Sequence, residues 1–471
     1  MKTNRTPEAG AKVEALNLPI EPTESARSVL LIGDGAFPRS VELALTRAGA
    51  SVRWMRRPND REIASVLTDE FDVTMVVSRD DIEVLRIALV VEHARPGGRL
   101  IVTVFNRTVA GQLRRTVPRC QVTSMADAVA TTLAGPCIAD GLESLAQLPD
   151  GLVGVTEAAD GIEVVPLRVG RRGRLVRALH EIRGALRPFD LSARFLVAGL
   201  SGFIGILALD AVVSGVALHQ QPVDAFYDAT KALVTVASNP AVDRAGPGSK
   251  LFAAVLMLAS LGFVALLTAG IINRLLDRRL TGIIGRRAIP RSDHVIVVGL
   301  GQVGLRLCLL LRSLGIGVVA VERDPSAPSV ELARDYKIPV VLGTGAERTL
   351  LAKLSLDRAR ALAAITSDDG ENIAITVAAL AVREDLRVVL RAGDGDVTTE
   401  IRSLFNIGVV RDVHRIAGDL LAAAALGVET AGAAARDGET WLVMTDGSTR
   451  HINELKASDA RPNEADDEER S

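Results

Sequence analysis

HVIVVGLGQVGLRLCLLLRSLGIGVVAVERDP, residues 294–325, decides the fold. An apolar run, His294–Val298, leads into a glycine-rich turn, then an apolar helix, then a second apolar run ending at Glu322. Strand, turn, helix and strand in that order predict a parallel, doubly wound α/β sheet. Gly299, Gly301 and Gly304 form G-x-G-x-x-G directly after the strand. The first glycine permits the tight turn, and the second lets a backbone approach a pyrophosphate. The third lets helix and strand pack closely. Glu322, at the tip of the second strand, stands where an acid can accept from ribose hydroxyls. Gly299, Gly301, Gln302, Val303, Gly304, Glu322 and Arg323 are therefore the candidate nucleotide-binding residues. A retained fold with an empty pocket is the competing reading.

Working outward, a second α/β pattern begins at Ser28. Strands are predicted at Val29–Ile32, Ser51–Met55, Val73–Val77 and Leu100–Val104, with helices over Ser40–Ala48 and Asp81–Ala94. A hairpin is predicted within Gly151–Val169. The two α/β regions are an internal repeat. Sliding one onto the other puts Gly33 on Gly299, Gly35 on Gly301, Pro38 on Gly304 and Arg56 on Glu322. Aligning the nearby prolines instead puts Met55 opposite Glu322. Either way the acid is missing, and the first copy is expected to keep the fold without the dinucleotide chemistry.

Between the repeats lie two apolar segments. Phe195–Leu218 carries one charge, Asp210, and Leu251–Ile272 carries none. A hydrocarbon core of ~30 Å needs about 20 apolar residues in helix, so both can span it. A buried pair of core helices is the alternative. Arg174, Arg177, Arg183, Arg187 and Arg194 precede the first segment, and Arg274, Arg278, Arg279, Arg286, Arg287 and Arg291 follow the second. The connecting loop has only Lys231, Arg244 and Lys250. By the positive-inside rule both termini are expected in the cytoplasm, with the chain in the cell membrane. Arg174–Arg187 is basic and amphipathic, suited either to the headgroup plane or to packing on the preceding domain. Asp210 should face an assembly interior or lie near the outer boundary.

Composition bounds the rest. With 55 Lys and Arg against 57 Asp and Glu, the net charge of −2 gives no reason to expect nucleic acid as partner. Three cysteines without a CxxC predict reduced thiols, and six histidines never at ligand spacing predict no metal site. The stretch before Ser28 is polar, without the apolar region of a cleavable signal peptide. No His, Lys or Tyr catalytic set follows the glycines, so no enzyme is expected; a Rossmann oxidoreductase is the weakest reading.

VIVVGLGQVG, AVERDP, VVLGTGAERTLLAKLSLDRARALAAITSDDGEN and IRSLFNIGVVRDVHRIAGDLLA resemble the RCK or KTN (TrkA-N) domains that regulate potassium channels and uptake systems. That resemblance implies a sensor that binds NAD(H), ATP/ADP or a related ligand and sets the state of an attached pore. The membrane hairpin is in turn similar to the two-helix pore module of potassium channels, with DAFYDATKALVTVASNP (Asp224–Pro240) as pore helix and filter. Thr235 and Val236 fall where the filter begins. Ala237, Ser238, Asn239 and Pro240 stand where the family has Gly, Tyr, Gly and Asp. Those glycines let alternate carbonyls face a dehydrated ion, and other residues reach that backbone only at ~1–2 kcal/mol each. Two outcomes stay open, a wider monovalent-cation pore or one that no longer conducts. Gly262, within the second span, is a candidate gating hinge or a small residue for close packing.

The expected fold class is thus α/β plus membrane α, with two Rossmann-like domains flanking a two-helix hairpin. The expected limits are an N-terminal tail 1–27, a degenerate domain 28–170 with its β appendage, a linker helix 171–194, and a pore-like module 195–272. A linker 273–292, a nucleotide-binding domain 293–456 and an acidic tail 457–471 follow. One hairpin cannot enclose a pore, so a homotetramer is implied. A non-conducting, membrane-tethered sensor acting through a partner is the alternative.

Overall fold

The computed structural model describes residues 28–159, 161–167, 191–217, 221–233, 242, 244, 246–276, 283–284, 290, 292–393, 408–436 and 438–455. The N-terminal tail, Arg174–Arg187, the filter positions Thr235, Val236, Ala237, Ser238 and Asn239, most of the 273–292 linker and the acidic tail lie outside them. The chain divides into two units, Met1–Gly173 with Ile284–Ser471, and Arg174–Ile283.

In the first half of the larger unit, five short strands form a wholly parallel sheet: β1 (Ser28–Ile32), β2 (Ser51–Met55), β3 (Val73–Val76), β4 (Leu100–Thr103) and β5 (Cys120–Thr123), in the order β2-β1-β3-β4-β5. β1, β3 and β4 are apolar almost throughout because helices cover both faces. The helices are α1 (Ala36–Arg47), α2 (Asp60–Val66), α3 (Asp81–Ala94), α4 (Arg107–Thr116) and α5 (Met125–Ile138). Asn59, Asp80, Asn106 and Ser124 each cap one by accepting a backbone N–H, worth about 1 kcal/mol apiece. α1 starts at Ala36 rather than Ser40, immediately after Gly35, because Pro38 fits a first helical turn whose N–H groups need no partner. The appendage has three strands rather than two: β6 (Leu142–Leu148), β7 (Gly151–Ala158) and β8 (Gly161–Val165). β6 hides from a period-two reading because consecutive residues Ser144, Leu145 and Ala146 are all buried.

The smaller unit holds α6 (Leu191–Ala217), α7 (Pro222–Leu233) and α8 (Pro247–Leu276). Val197–Val216 and Pro247–Ile272 are long and apolar enough to cross a membrane. Within their most apolar stretches only 22% and 17% of residues are buried, which separates them from core helices of a water-soluble fold. α6 and α8 pack through Ile206 and Leu256. A Cβ on Gly199 would lie 2.7 Å from the Leu267 backbone N, so glycine is what lets the two helices touch there. Gly262 is different. Nothing described lies within 4 Å of where its Cβ would be, and α8 runs through it unbroken, so hairpin packing does not demand a small residue there. Asp210 is 8% exposed, turned into the hairpin.

The second half of the larger unit has a seven-stranded sheet in the order β15-β14-β13-β10-β11-β12-β9. Its strands are β9 (Ile283–Ile284), β10 (His294–Val298), β11 (Gly317–Glu322), β12 (Val340–Leu342), β13 (Ala361–Ala364), β14 (Val388–Ala392) and β15 (Val409–Asp412). Its helices are α9 (Gln302–Ser313), α10 (Pro328–Asp335), α11 (Arg348–Lys353), α12 (Asp369–Leu380) and α13 (Val413–Ala425). β16 (Thr430–Arg436), β17 (Glu439–Met444) and β18 (Thr449–His451) close it as an antiparallel sheet. Leaving β9 aside, the order from β12 to β15 is the doubly wound 3-2-1-4-5-6 arrangement. Among its described residues the first half has no counterpart of β12.

Strand pairing settles the alignment of the repeats. Ser28 faces Ser51 as His294 faces Gly317, so Arg56 stands opposite Glu322. The missing strand changes the offset from β3 onward. There Val73 falls on Ala361 and Leu142 on Thr430, which brings β3 onto β13, and β6, β7 and β8 onto β16, β17 and β18.

The two halves, separated in sequence by the hairpin, share one hydrophobic core. α13 lies on α1, and α5 lies on α9 in the equivalent way. Polar contacts obey the same approximate two-fold. Arg99 donates to the last carbonyls of α13, Ala424 O at 2.7 Å and Ala425 O at 2.9 Å. Its counterpart Arg387 pairs with Asp140, just past the end of α5, at 2.6 Å. Cations at helix C-termini also suit the macrodipole. Arg306, buried on α9, pairs with Asp127 of α5 at 2.9 Å, and Arg411 pairs with Glu143.

Candidate functional site

A cavity of about 310 Å³ opens over the carboxyl ends of β10, β11 and β13, between strands β10 and β13 where the chain order reverses. Ligands of doubly wound sheets bind at that crevice. The turn that forms its floor is fixed by sterics. Gly299 has φ +96°, and a Cβ there would lie 2.7 Å from the Thr366 backbone N. A Cβ on Gly304 would lie 2.0 Å from Gly299 O, so only glycine lets α9 approach the turn this closely. Gly301 ends the turn as the residue capping α9, with no side chain satisfying the first helical N–H groups. Those groups, and the positive end of the helix dipole, suit an anion.

Glu322 is held rather than free. Its Oε2 accepts from Leu300 N at 2.9 Å, and its Oε1 accepts from Arg323 N at 2.8 Å and Asp324 N at 3.0 Å. A carboxylate has about four lone-pair sites, so it retains capacity for a hydroxyl pair while bracing the glycine turn against the end of β11. Arg323 reaches Glu371 on α12 at 3.3 Å at the cavity mouth.

Gly299, Gly301, Gln302, Val303, Glu322 and Arg323 line the cavity together; Gly304 lies behind it. Thr235, Val236, Ala237, Ser238 and Asn239 lie outside the described residues, and Gly262 sits mid-way along α8. Among the lining residues that sequence reasoning misses are Arg79, from the loop after β3 in the first half, Arg391, from the end of β14, and Thr366. Each follows or ends a strand at its carboxyl edge, where a doubly wound sheet exposes ligand-facing groups, and that is the available signal.

Arg79 is tied down on both sides. Its guanidinium donates to His414 Nε2 at 2.8 Å, and its carbonyl accepts from Gln302 Nε2 at 3.3 Å. His414 Nδ1 donates to Gly393 O at 2.8 Å, which leaves Nε2 as the acceptor for Arg79. Burial holds the His414 imidazole below the usual histidine range, reinforced by the charges of Arg391 and Arg79 and opposed by its bond to Gly393 and by Asp412. Arg391 is also lowered, by burial first and then by Arg79. Asn372, fully buried, accepts from Thr366 N and donates to Arg391 O, locking the two lining residues together.

The equivalent turn of the first half is engaged by its own side chains. Trp54 Nε1 donates to Gly33 O at 2.8 Å, and the Arg56 guanidinium lies 4.5 Å over the Trp54 ring instead of offering a carboxylate. Arg57 pairs with Asp34 across the turn at 2.5 Å. Without a counterpart of β12 the turn also lacks one wall.

Residues 295–410, which hold this turn, Glu322 and Arg391, match the TrkA-N domain family. This segment is a TrkA-N domain. The match agrees with the RCK/KTN resemblance that its motifs carry. Potassium channel protein 1 of Methanocaldococcus jannaschii is 24% identical over 101 residues, 21% of this chain and 30% of that protein. The Trk system potassium uptake protein TrkA of Streptomyces coelicolor is 32% identical over 91 residues, 19% of this chain and 39% of that one. The chain thus spans between a quarter and two fifths of the curated relatives it matches. A solved structure, the GsuK channel bound to NAD, is similar at 13% identity with a TM-score of 0.47, covering 87% of this chain and 65% of that one. Together with the two apolar helices, the channel relatives support a TrkA-N membrane protein with two spans.

Proposed function

We propose that the TrkA-N cavity binds an adenine nucleotide, NAD(H) or ATP/ADP, and that occupancy sets the state of a cation pathway formed by the hairpins of four chains. The observation that carries this reading is the uncapped α9 N-terminus beside a braced Glu322, one for phosphate and the other for ribose. The same chain carries two apolar helices with a short helix between them. The mechanism is population shift. A ligand that binds one arrangement of the larger unit more tightly than another favours that arrangement, by as much as the affinities differ. Arginine-rich flanks of the hairpin support a cytoplasmic larger unit. The role proposed for the cavity is regulatory.

A second reading rests on Ala237, Ser238, Asn239 and Pro240, which replace the residues of a potassium filter. It makes the protein a non-conducting, membrane-tethered sensor that signals through a partner. Purified protein in liposomes separates the two. Monovalent-cation flux that changes at least several-fold with NADH or ATP supports the channel. Intact nucleotide binding with no flux under any ligand leaves the tethered sensor.

A further inference from the structure

We infer that the first half, whose own turn lacks the acid, completes an anion clamp in the second: Arg79 and Arg391 grip the distal phosphate of the ligand, so the site takes a nucleoside diphosphate, triphosphate or dinucleotide and discriminates against adenosine. This rests on the nucleotide reading of the cavity and adds to it a second pair of residues and a ligand class.

Four observations converge on it. Arg391 is 8% exposed, lines the cavity, and its Nε has no hydrogen-bond partner among the described residues. A buried N–H left without an acceptor is costly, and an anion in the cavity offsets the burial of the charge that carries it. Arg79 enters the same cavity from the other half, its guanidinium oriented by His414 and its backbone by Gln302. The two guanidinium groups sit close enough for the charge of Arg79 to act against that of Arg391. Arg391 is buried and Arg79 exposed, and an anion between two such like charges stabilises both. The third cationic feature is the uncapped start of α9, from which Gln302 reaches directly to Arg79. Acidic groups around the clamp are already engaged: Glu371 pairs with Arg323, and Asp369 accepts from Gly393 N at 2.9 Å while opposing the lowering of Arg391.

The arrangement is one-sided. In the register that lays β3 on β13, Arg79 falls on Ser367 and Arg391 falls on Thr103. Neither Ser367 nor Thr103 carries a charge, so the turn of the first half receives no clamp. His414 is a positioning residue here. With Nδ1–H committed to Gly393 O, its Nε2 is an acceptor that holds one guanidinium nitrogen and leaves the others to the ligand.

Calorimetric titration of the full chain in nanodiscs, with ADP, NADH and adenosine, tests this. Wild type is expected to bind ADP or NADH at least tenfold more tightly than adenosine. Arg79→Ala should weaken ADP and NADH tenfold or more while adenosine affinity stays within twofold, which also shows that the variant is folded. Arg79→Lys, which keeps the charge without the fork, should recover part of the loss. His414→Ala should give a smaller loss in the same direction. Wild-type ADP affinity in Arg79→Ala, or equal wild-type affinity for adenosine and ADP, overturns the clamp and leaves the nucleotide site standing. No binding of any of the three to wild type overturns both.

Discussion

The two halves of the larger unit start from the same strand–turn–helix and end in different states. Both turns carry their first two glycines, and both helices begin at matching positions, Ala36 and Gln302. What differs is the third glycine, the acid at the end of the second strand, the third strand itself, and the arginines. A turn alone does not make a site. The second half has a cavity because β12 walls it, Gly304 lets the helix close up, Glu322 braces the turn and charged groups arrive from outside. The first half retains a buried sheet and packing surfaces, and it serves the other.

That contrast can be broken experimentally, most severely at Gly304. Gly304→Val drives a branched side chain into Gly299 O, and nucleotide binding should fall below detection with destabilisation of about 3 kcal/mol or more. Pro38→Gly, at the matching place, should leave binding within twofold. Thermal unfolding alongside calorimetry reads both. At Glu322, alanine removes the ribose acceptor and three braces of the turn. A tenfold or larger loss of NAD(H) or ADP affinity is expected, in line with ~1.5–3 kcal/mol for hydrogen bonds to a charged group. Arg56→Glu should create no second site, since the third strand is absent; two ligands per chain from that variant would break the comparison.

The related arginines give a smaller contrast. Arg99→Ala leaves two carbonyls at the end of α13 without their donor and should cost about 1–2 kcal/mol in urea unfolding. Arg387→Ala loses a pair with an 89% exposed Asp140 and should cost less than about 1 kcal/mol. Equal losses would mean that the approximate symmetry extends to energies. The smallest effect is in pH. Burial depresses the His414 and His294 imidazoles, so the folded protein binds fewer protons than the unfolded one below the ordinary value of 6.5. Their stability contribution is complete above that value and is lost as pH falls below it. Tm should therefore drop on acidification from pH 7 toward 5, and His414→Gln should reduce that slope without abolishing it, because His294 remains.

The sequence reveals these features unevenly, for physical reasons. The glycines and Glu322 are legible because their spacing follows from local backbone geometry, written within a single strand–turn–helix–strand stretch. The apolar spans are legible because the bilayer's thickness sets a length. Arg79 and Arg391 escape notice because they meet only when one half docks on the other, and no local period records that docking. β6 escapes because burial on both faces erases alternation. Trp54 filling space near the first turn is equally invisible, since a tryptophan in a strand reads as ordinary packing.

The shared core of the two halves has a consequence for how such a unit changes over time. Two identical subunits in a symmetric pair must carry any new residue twice, once at each equivalent place. Here the partners are covalently one polypeptide, so Trp54 can bond to one turn while Glu322 braces the other, and Arg79 can be placed on one side alone. Their union is also unimolecular, indifferent to dilution. A fused pair can therefore specialise, one copy becoming a fixed accessory to the other.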